Sequence, residues 1–232
     1  MKDKNALGQP IGPAVPNWAG RDPVPHRPMS GIYCDVVPLS ATHGDDLFTA
    51  YQADSAGKMW TYLPIGPFPT RAGFDAWLRQ CCASRDPLFF AIIDKPTGQA
   101  LGVASFLRMQ PENGVAEVGY ITFSPALQRT RASTEAMYLM MRRILGELNY
   151  RRYEWKCDAL NAASRAAATR LGFTFEGTFR QAIVYKGRNR DTAWFSLLDC
   201  EWPAREVAFK RWLAPDNFDP EGTQKRKLQA SG

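Results

Sequence analysis

The sequence predicts an α/β fold of the mixed α+β kind, a mostly antiparallel sheet of about seven strands with helices on both faces. Three observations lead there. Apolar runs of strand length at Leu88–Ile93, Leu101–Met109 and Val115–Phe123 are joined by Lys95-Pro96-Thr97-Gly98 and Pro111-Glu112-Asn113-Gly114, turn sequences that fold consecutive strands back on one another. After Pro125 the apolar spacing switches to three and four residues, with Ala136, Met137, Met140, Met141, Ile144 and Leu148 on one stripe. Strand character then returns at Tyr153–Cys157. That strand–helix–strand passage is the one parallel-type crossover, where a cofactor crevice is expected.

The remaining elements follow in chain order. Residues 1–30 carry Pro10, Pro13, Pro16, Pro23, Pro25 and Pro28. Each fixes φ and removes an amide donor, so this arm should be extended and irregular, either wrapping the domain through Trp18 or staying mobile. Ile32–Val37 reads as an edge strand ended by Pro38. His43–Ala53 reads as a short helix, and Thr70 as the cap of a second with Phe74, Trp77, Leu78 and Cys81 on its inner face. A helix from Asn161 to Leu171 ends at Gly172, a residue type that accepts the left-handed conformation at a helix end. Strands Phe173–Tyr185 and Thr192–Cys200 close around Lys186-Gly187-Arg188-Asn189, and Trp202–Trp212 forms a final helix. The expected organisation is an arm over 1–30, one domain over 31–203, and a C-terminal helix with a loose basic tail over 204–232.

Composition removes several function classes. No apolar run approaches the ~20 residues needed to cross a bilayer, and no apolar stretch follows the charged start Met1–Asn5, so the cytoplasm is the default location. Five cysteines, an odd number without C-x-x-C spacing, read as reduced and mostly buried thiols. Two histidines and no Cys/His cluster leave no expected metal site and argue against a Ser-His-Asp hydrolase. The net charge of +6 suits nucleic acid, a membrane surface or a polyanionic small molecule and selects none of them. Without an RRM, KH or helix-turn-helix pattern, nucleic acid is not an expected partner.

The most informative segment is Ser124-Pro125-Ala126-Leu127-Gln128-Arg129-Thr130-Arg131-Ala132-Ser133-Thr134-Glu135-Ala136. A strand ends, a short loop turns, and a long amphipathic helix begins. Its first amides lack internal acceptors and its dipole favours negative charge, so Arg129 and Arg131 beside them would add charge-assisted bonds to phosphate oxygens. Thr130, Ser133 and Thr134 can donate as well. The same residues also fit an ordinary capped helix, with Ser133 or Thr134 as cap and solvated arginines. The glycines and the Gly-Lys-Ser/Thr ending of a Walker loop are missing.

With its surroundings the segment gains specificity. Glu117-Val118-Gly119-Tyr120, Pro125, the run Gln128–Ala136, Asn161-Ala162-Ala163-Ser164-Arg165, Arg170-Leu171-Gly172-Phe173, Gly177–Arg180 and Gly187–Asp191 occur in an order and spacing that resembles the RimJ/RimL branch of the GNAT superfamily of N-acetyltransferases, over residues 30–203. The resemblance implies the GNAT sheet, acetyl-CoA as co-substrate and an amine acceptor. It also implies a Gln/Arg-x-x-Gly-x-Gly/Ala loop cradling the CoA pyrophosphate. Gln128 matches its first position, Ser133 falls at the second small position, and Arg131 stands where glycine is common, where it either crowds the phosphate or supplies a cation to it.

Acetyl transfer from a thioester needs a neutral amine, a stabilised oxyanion, a protonated leaving thiol and tight orientation. By resemblance, two neighbouring strands splay apart around pantetheine, and backbone groups near Ile121 and Phe123 bind it and polarise the thioester carbonyl, helped by a bulge. Glu117 in that strand is the first candidate for general base, and equally an ordinary strand carboxylate. Glu135 is its rival, although a carboxylate in a first helical turn is also explained by the dipole. Asn161 and Ser164 share one helical face; Asn161 reads as an N-cap, and the resemblance adds a contact to pantetheine and makes Ser164 the acid for the departing thiolate. Ala168 stands where many GNAT members carry tyrosine. Trp60, Tyr62 and Phe68 either line an acceptor pocket or pack, and Arg180 and Arg190 either anchor an acidic acceptor or are solvated. Two alternatives stay open: a non-catalytic CoA-binding or regulatory protein with this fold, and a homodimer.

Overall fold

A computed structural model describes residues 3–228. Its strands are β1 (Met29–Ser30), β2 (Cys34–Pro38), β3 (Leu88–Asp94), β4 (Ala100–Gln110), β5 (Val115–Phe123), β6 (Arg152–Asp158), β7 (Thr174–Tyr185) and β8 (Arg188–Leu198). Its longer helices are α1 (Gly44–Gln52), α2 (Arg71–Ala83), α3 (Arg131–Met141), α4 (Ala162–Leu171) and α5 (Trp202–Leu213). The strands form one sheet in the order β1-β2-β3-β4-β5-β6-β8-β7, antiparallel throughout except for the β5–β6 pair. The seven expected strands are present, and the two-residue β1 adds an eighth at the edge. No helix among the described residues is long and apolar enough to cross a membrane.

Alternation along the strands divides the core in two. Phe90, Ile92, Phe106, Val118, Tyr153, Trp155 and Phe195 pack under α3, α4 and α5, while Phe89, Ala91 and Val103 meet Leu47, Phe74 and Leu78 of α1 and α2 on the other face. Every residue of α3 from Ala132 to Met141 is buried, so it is enclosed on all sides rather than half-exposed as its stripe suggests. Tyr138 shows why: its ring stacks on Trp202 and lies 5.4 Å from Phe209 of α5, opposite the sheet.

The proline-rich arm wraps the domain. The Trp18 indole donates to the Glu112 carbonyl at 2.8 Å and is flanked by the guanidinium groups of Arg21 and Arg151, while Tyr150 and Arg143 bond the carbonyls of Asp22 and Pro28. The stretch after α5, read as a loose tail, is folded back as far as Leu228. Buried Asn217 donates to the Trp212 carbonyl and accepts from the Arg226 amide, and Trp212 Nε1 bonds Gln224. Of the charges in this segment, Lys225 Nζ donates to the Asp216 carbonyl and the Arg226 guanidinium to Asn217 Oδ1, partners that composition does not reveal.

Candidate active site

The parallel pairing of β5 with β6 runs from Val115–Arg152 to Val118–Trp155 and stops there, although β5 continues to Phe123 and β6 to Asp158. The strands diverge into a wedge. On the β4 side the register slips between Ser105–Gly119 and Val103–Thr122, which places an extra β5 residue opposite β4, and Tyr120 takes φ +49° at that bulge. The bulge turns backbone around Ile121 out of regular pairing at the point where the wedge opens. Tyr51 Oη bonds the Thr122 carbonyl and Gln128 Nε2 the Phe123 carbonyl, which fixes this stretch from both sides.

At the end of β5 the chain turns into α3. Thr130 is the cap: its hydroxyl accepts from Ser133 N at 3.1 Å and donates to the Leu127 carbonyl at 2.7 Å. Ser133 and Thr134, the caps read from sequence, instead turn their hydroxyls back to the Thr130 carbonyl, and Thr134 also accepts from Arg170. Their side chains are therefore occupied. Arg129 is exposed with φ +62°, and among the described residues the amides of Arg129, Arg131 and Ala132 have no hydrogen-bond partner. The Arg131 guanidinium lies 4.7 Å from the Tyr33 ring and 4.9 Å from the Phe218 ring, with no carboxylate within salt-bridge distance among the described residues. A cation at the first position of a helix opposes the dipole. The free amides with two unpaired arginines make a site fit for a phosphate group.

Glu117 sits at the closed end of the wedge, buried, on the face opposite α3. Its Oε2 receives Lys156 Nζ at 2.7 Å and lies 3.6 Å from Arg108 Nε, while its Oε1 has no hydrogen bond among the described residues. Lys156 also reaches Glu154 at 2.7 Å and stands 3.8 Å above the Trp194 ring. Burial raises the Glu117 pKa against the opposing pull of Lys156 and Arg108. Glu154 goes the other way: burial pushes it up, but Lys156 and Arg152 hold it below the ordinary carboxylate value. Within one strand pair, the two neighbouring carboxylates are thus shifted in opposite directions.

Across the wedge, Asn161 caps α4 by accepting from Ser164 N at 3.0 Å. Ser164 Oγ accepts the Trp155 indole N–H at 3.0 Å; since the indole can only donate, the serine proton is left to point elsewhere. Ala168 is completely buried, and its methyl group has no proton to give a leaving thiolate. Glu135 is a structural carboxylate. It accepts the amides of Ile32, Tyr33 and Cys34 at 2.6–2.9 Å and so fastens the β1–β2 turn to α3.

On the α1–α2 side, Trp60 is buried and Phe68 packs against it, Phe74 and Trp77; both also line a cavity of about 420 Å³ with Phe48, Tyr51 and Pro67. Sequence reasoning missed Lys156 and Trp194. The signal for Lys156 was its place in Arg152-Tyr153-Glu154-Trp155-Lys156, whose even positions form a charged row on one strand face.

A family model described as an acetyltransferase (GNAT) domain matches residues 36–174. The chain is 34% identical to uncharacterized N-acetyltransferase p20 of Bacillus licheniformis, over 75% of this chain and 99% of that one. It is 32% identical to the ribosomal-protein-serine acetyltransferase of Escherichia coli over 36% of this chain and 46% of the other. The crystal structure of a GCN5-related N-acetyltransferase from Brucella melitensis superposes with a TM-score of 0.90 at 49% identity, covering 93% of this chain and 98% of that one.

Proposed function

We propose, from the premise that this chain belongs to the GNAT family of acetyltransferases, that it transfers the acetyl group of acetyl-CoA directly to a primary amine, on a protein N-terminus or a small molecule, within a ternary complex. The observation that carries this reading is the wedge between β5 and β6 with Glu117 at its closed end and Ser164 on its far wall. Partial similarity to the Escherichia coli ribosomal-protein-serine enzyme supports placement in the RimJ/RimL branch.

Acetyl-CoA brings an acyl group already activated as a thioester. The free amides at the start of α3, with Arg129 and Arg131, would hold its pyrophosphate, and Gln128 and Thr130 shape that loop. Ser133 and Thr134 have both amide and hydroxyl engaged with Thr130, so they would shape the start of the helix and leave the donors to Arg129, Arg131 and Ala132. Backbone at Ile121 and Phe123 would line the pantetheine path and face the developing oxyanion. Asn161 Nδ2, left over from capping, can donate to the same arm. Glu117 Oε1 would take the amine proton, directly or through water, and Ser164 Oγ would donate to the departing sulfur; each such proton transfer is typically worth ~10²–10⁴-fold.

The test is calorimetry with CoA followed by an acceptor screen read by mass spectrometry. Binding of CoA and an acetyl mass increment on an amine are expected. No CoA binding at low salt overturns the reading, whereas CoA binding without transfer to any amine would favour a non-catalytic CoA-binding protein.

A further inference from the structure

Among the described residues, three buried polar atoms without a hydrogen-bond partner lie in one row on β8: Arg190 Nε, Thr192 Oγ1 and Trp194 Nε1. Residues two apart on a strand share a face, and this is the face of Glu117 and Lys156, because Lys156 pairs across the strands with Trp194 and Asp158 with Thr192. The row begins at the reaction centre, with Lys156 Nζ over the Trp194 ring, and runs outward toward the open end of the wedge. Orphaned buried donors mark a place where something else completes the hydrogen bonding.

Charge says what that something is. The β7–β8 hairpin from 180 to 191 carries Arg180, Lys186, Arg188 and Arg190 against Asp191 alone, and among the described residues none of the four cations has a carboxylate within salt-bridge distance. The hairpin also roofs the row, since Lys186 Nζ donates to the Trp60 carbonyl at 2.8 Å on the far side. Asp158, which pairs with Thr192 across the strands, is already engaged: its two oxygens accept from Leu160 N and from Tyr185 Oη at 2.8 Å each.

We infer that the amine acceptor carries an anionic oxygen group, carboxylate or phosphate, which Arg190, Thr192 and Trp194 bind while the nitrogen meets Glu117. The inference rests on the acetyl-transfer reading and names the substrate class of that site. Thr192 and Arg190 lie two and four residues beyond Trp194, roughly 7 and 13 Å along the strand, so the anion sits well away from the nitrogen rather than on the adjacent carbon.

The test uses the full chain saturated with CoA, so that no turnover is needed, titrated by calorimetry with hexylamine, ε-aminocaproate and aminopentyl phosphate. At least one anionic probe should bind about tenfold or more tighter than hexylamine, and which one does so distinguishes carboxylate from phosphate. Arg190→Gln should remove most of that preference, and Trp194→Phe part of it, because the phenyl ring keeps the stacking on Phe179 and loses only the N–H donor. Unchanged affinity for CoA in both variants confirms that they fold. Hexylamine binding as tightly as both anionic probes, or variants that keep the full preference, overturns the inference while leaving acetyl transfer intact. Failure of CoA itself to bind overturns both.

Discussion

Replacing Arg129 by glycine should move stability and affinity in opposite directions. Arg129 holds φ +62° in an exposed turn, a conformation that costs a non-glycine residue on the order of 1–3 kcal/mol. Glycine relieves that strain but frees the unfolded chain by about 0.4–1 kcal/mol. The expected balance is a gain of up to about 2 kcal/mol, and a rise in Tm of a few degrees for a chain of this length. If the guanidinium meets a phosphate, its loss removes a charge-assisted hydrogen bond worth ~1.5–3 kcal/mol, which is roughly 10–150-fold in Kd. Calorimetry with CoA and with pantetheine, which lacks the pyrophosphate, separates the effects. CoA should weaken by that factor and pantetheine not at all. Arg129→Ala provides the control, because it keeps the strained φ and should lose CoA affinity without gaining stability. Equal CoA affinity in wild type and Arg129→Gly, or an equal loss for pantetheine, would refute the assignment and leave the arginine a surface charge in a strained turn.

Further outcomes follow from the same geometry. Since burial raises the Glu117 pKa and the exposed Arg108 helps to lower it, kcat/KM should rise with pH through a raised pKa, and Arg108→Gln should move that acid limb upward; a limb unmoved by this change would mean Glu117 is not the base. The linked stability sign is fixed too: with a raised native pKa the folded state holds the proton longer, so stability falls as pH rises from the ordinary carboxylate value to the raised one, a trend that Glu117→Gln should abolish in urea melts. Ser164→Ala should lower kcat by ~10²–10⁴-fold with acetyl-CoA affinity nearly intact, because a bond to the leaving thiolate grows only in the transition state; wild-type turnover would return Ser164 to its contact with Trp155. Glu135→Ala strands the buried Cys34 amide and frees those of Ile32 and Tyr33, and should cost about 1–3 kcal/mol in denaturant unfolding; a stable but inactive variant would instead make Glu135 chemical.

The sequence by itself determined whatever rests on local chemistry. Strand alternation and the turns at Lys95–Gly98 and Pro111–Gly114 specify the β3–β4–β5 meander, because hairpin pairing joins residues close in the chain. Thr70, Asn161 and Gly172 announce helix ends through bonds that span three or four residues. Ordered motif blocks were enough to indicate the GNAT family. Even locally the cap of α3 was misplaced, since Thr130, Ser133 and Thr134 all have capping chemistry and only the path of the loop selects Thr130. What tertiary structure decided is the meaning of charged side chains, because their partners lie far away in the chain. Glu117 becomes a raised-pKa carboxylate only beside Lys156, thirty-nine residues on, and Glu135 a fastener only where β2 passes it. Arg131 is held in place by Phe218, which belongs to a segment that composition alone marks as loose. Coulomb interaction and desolvation act through space within a few ångströms, and sequence separation carries no information about that distance until the chain has folded.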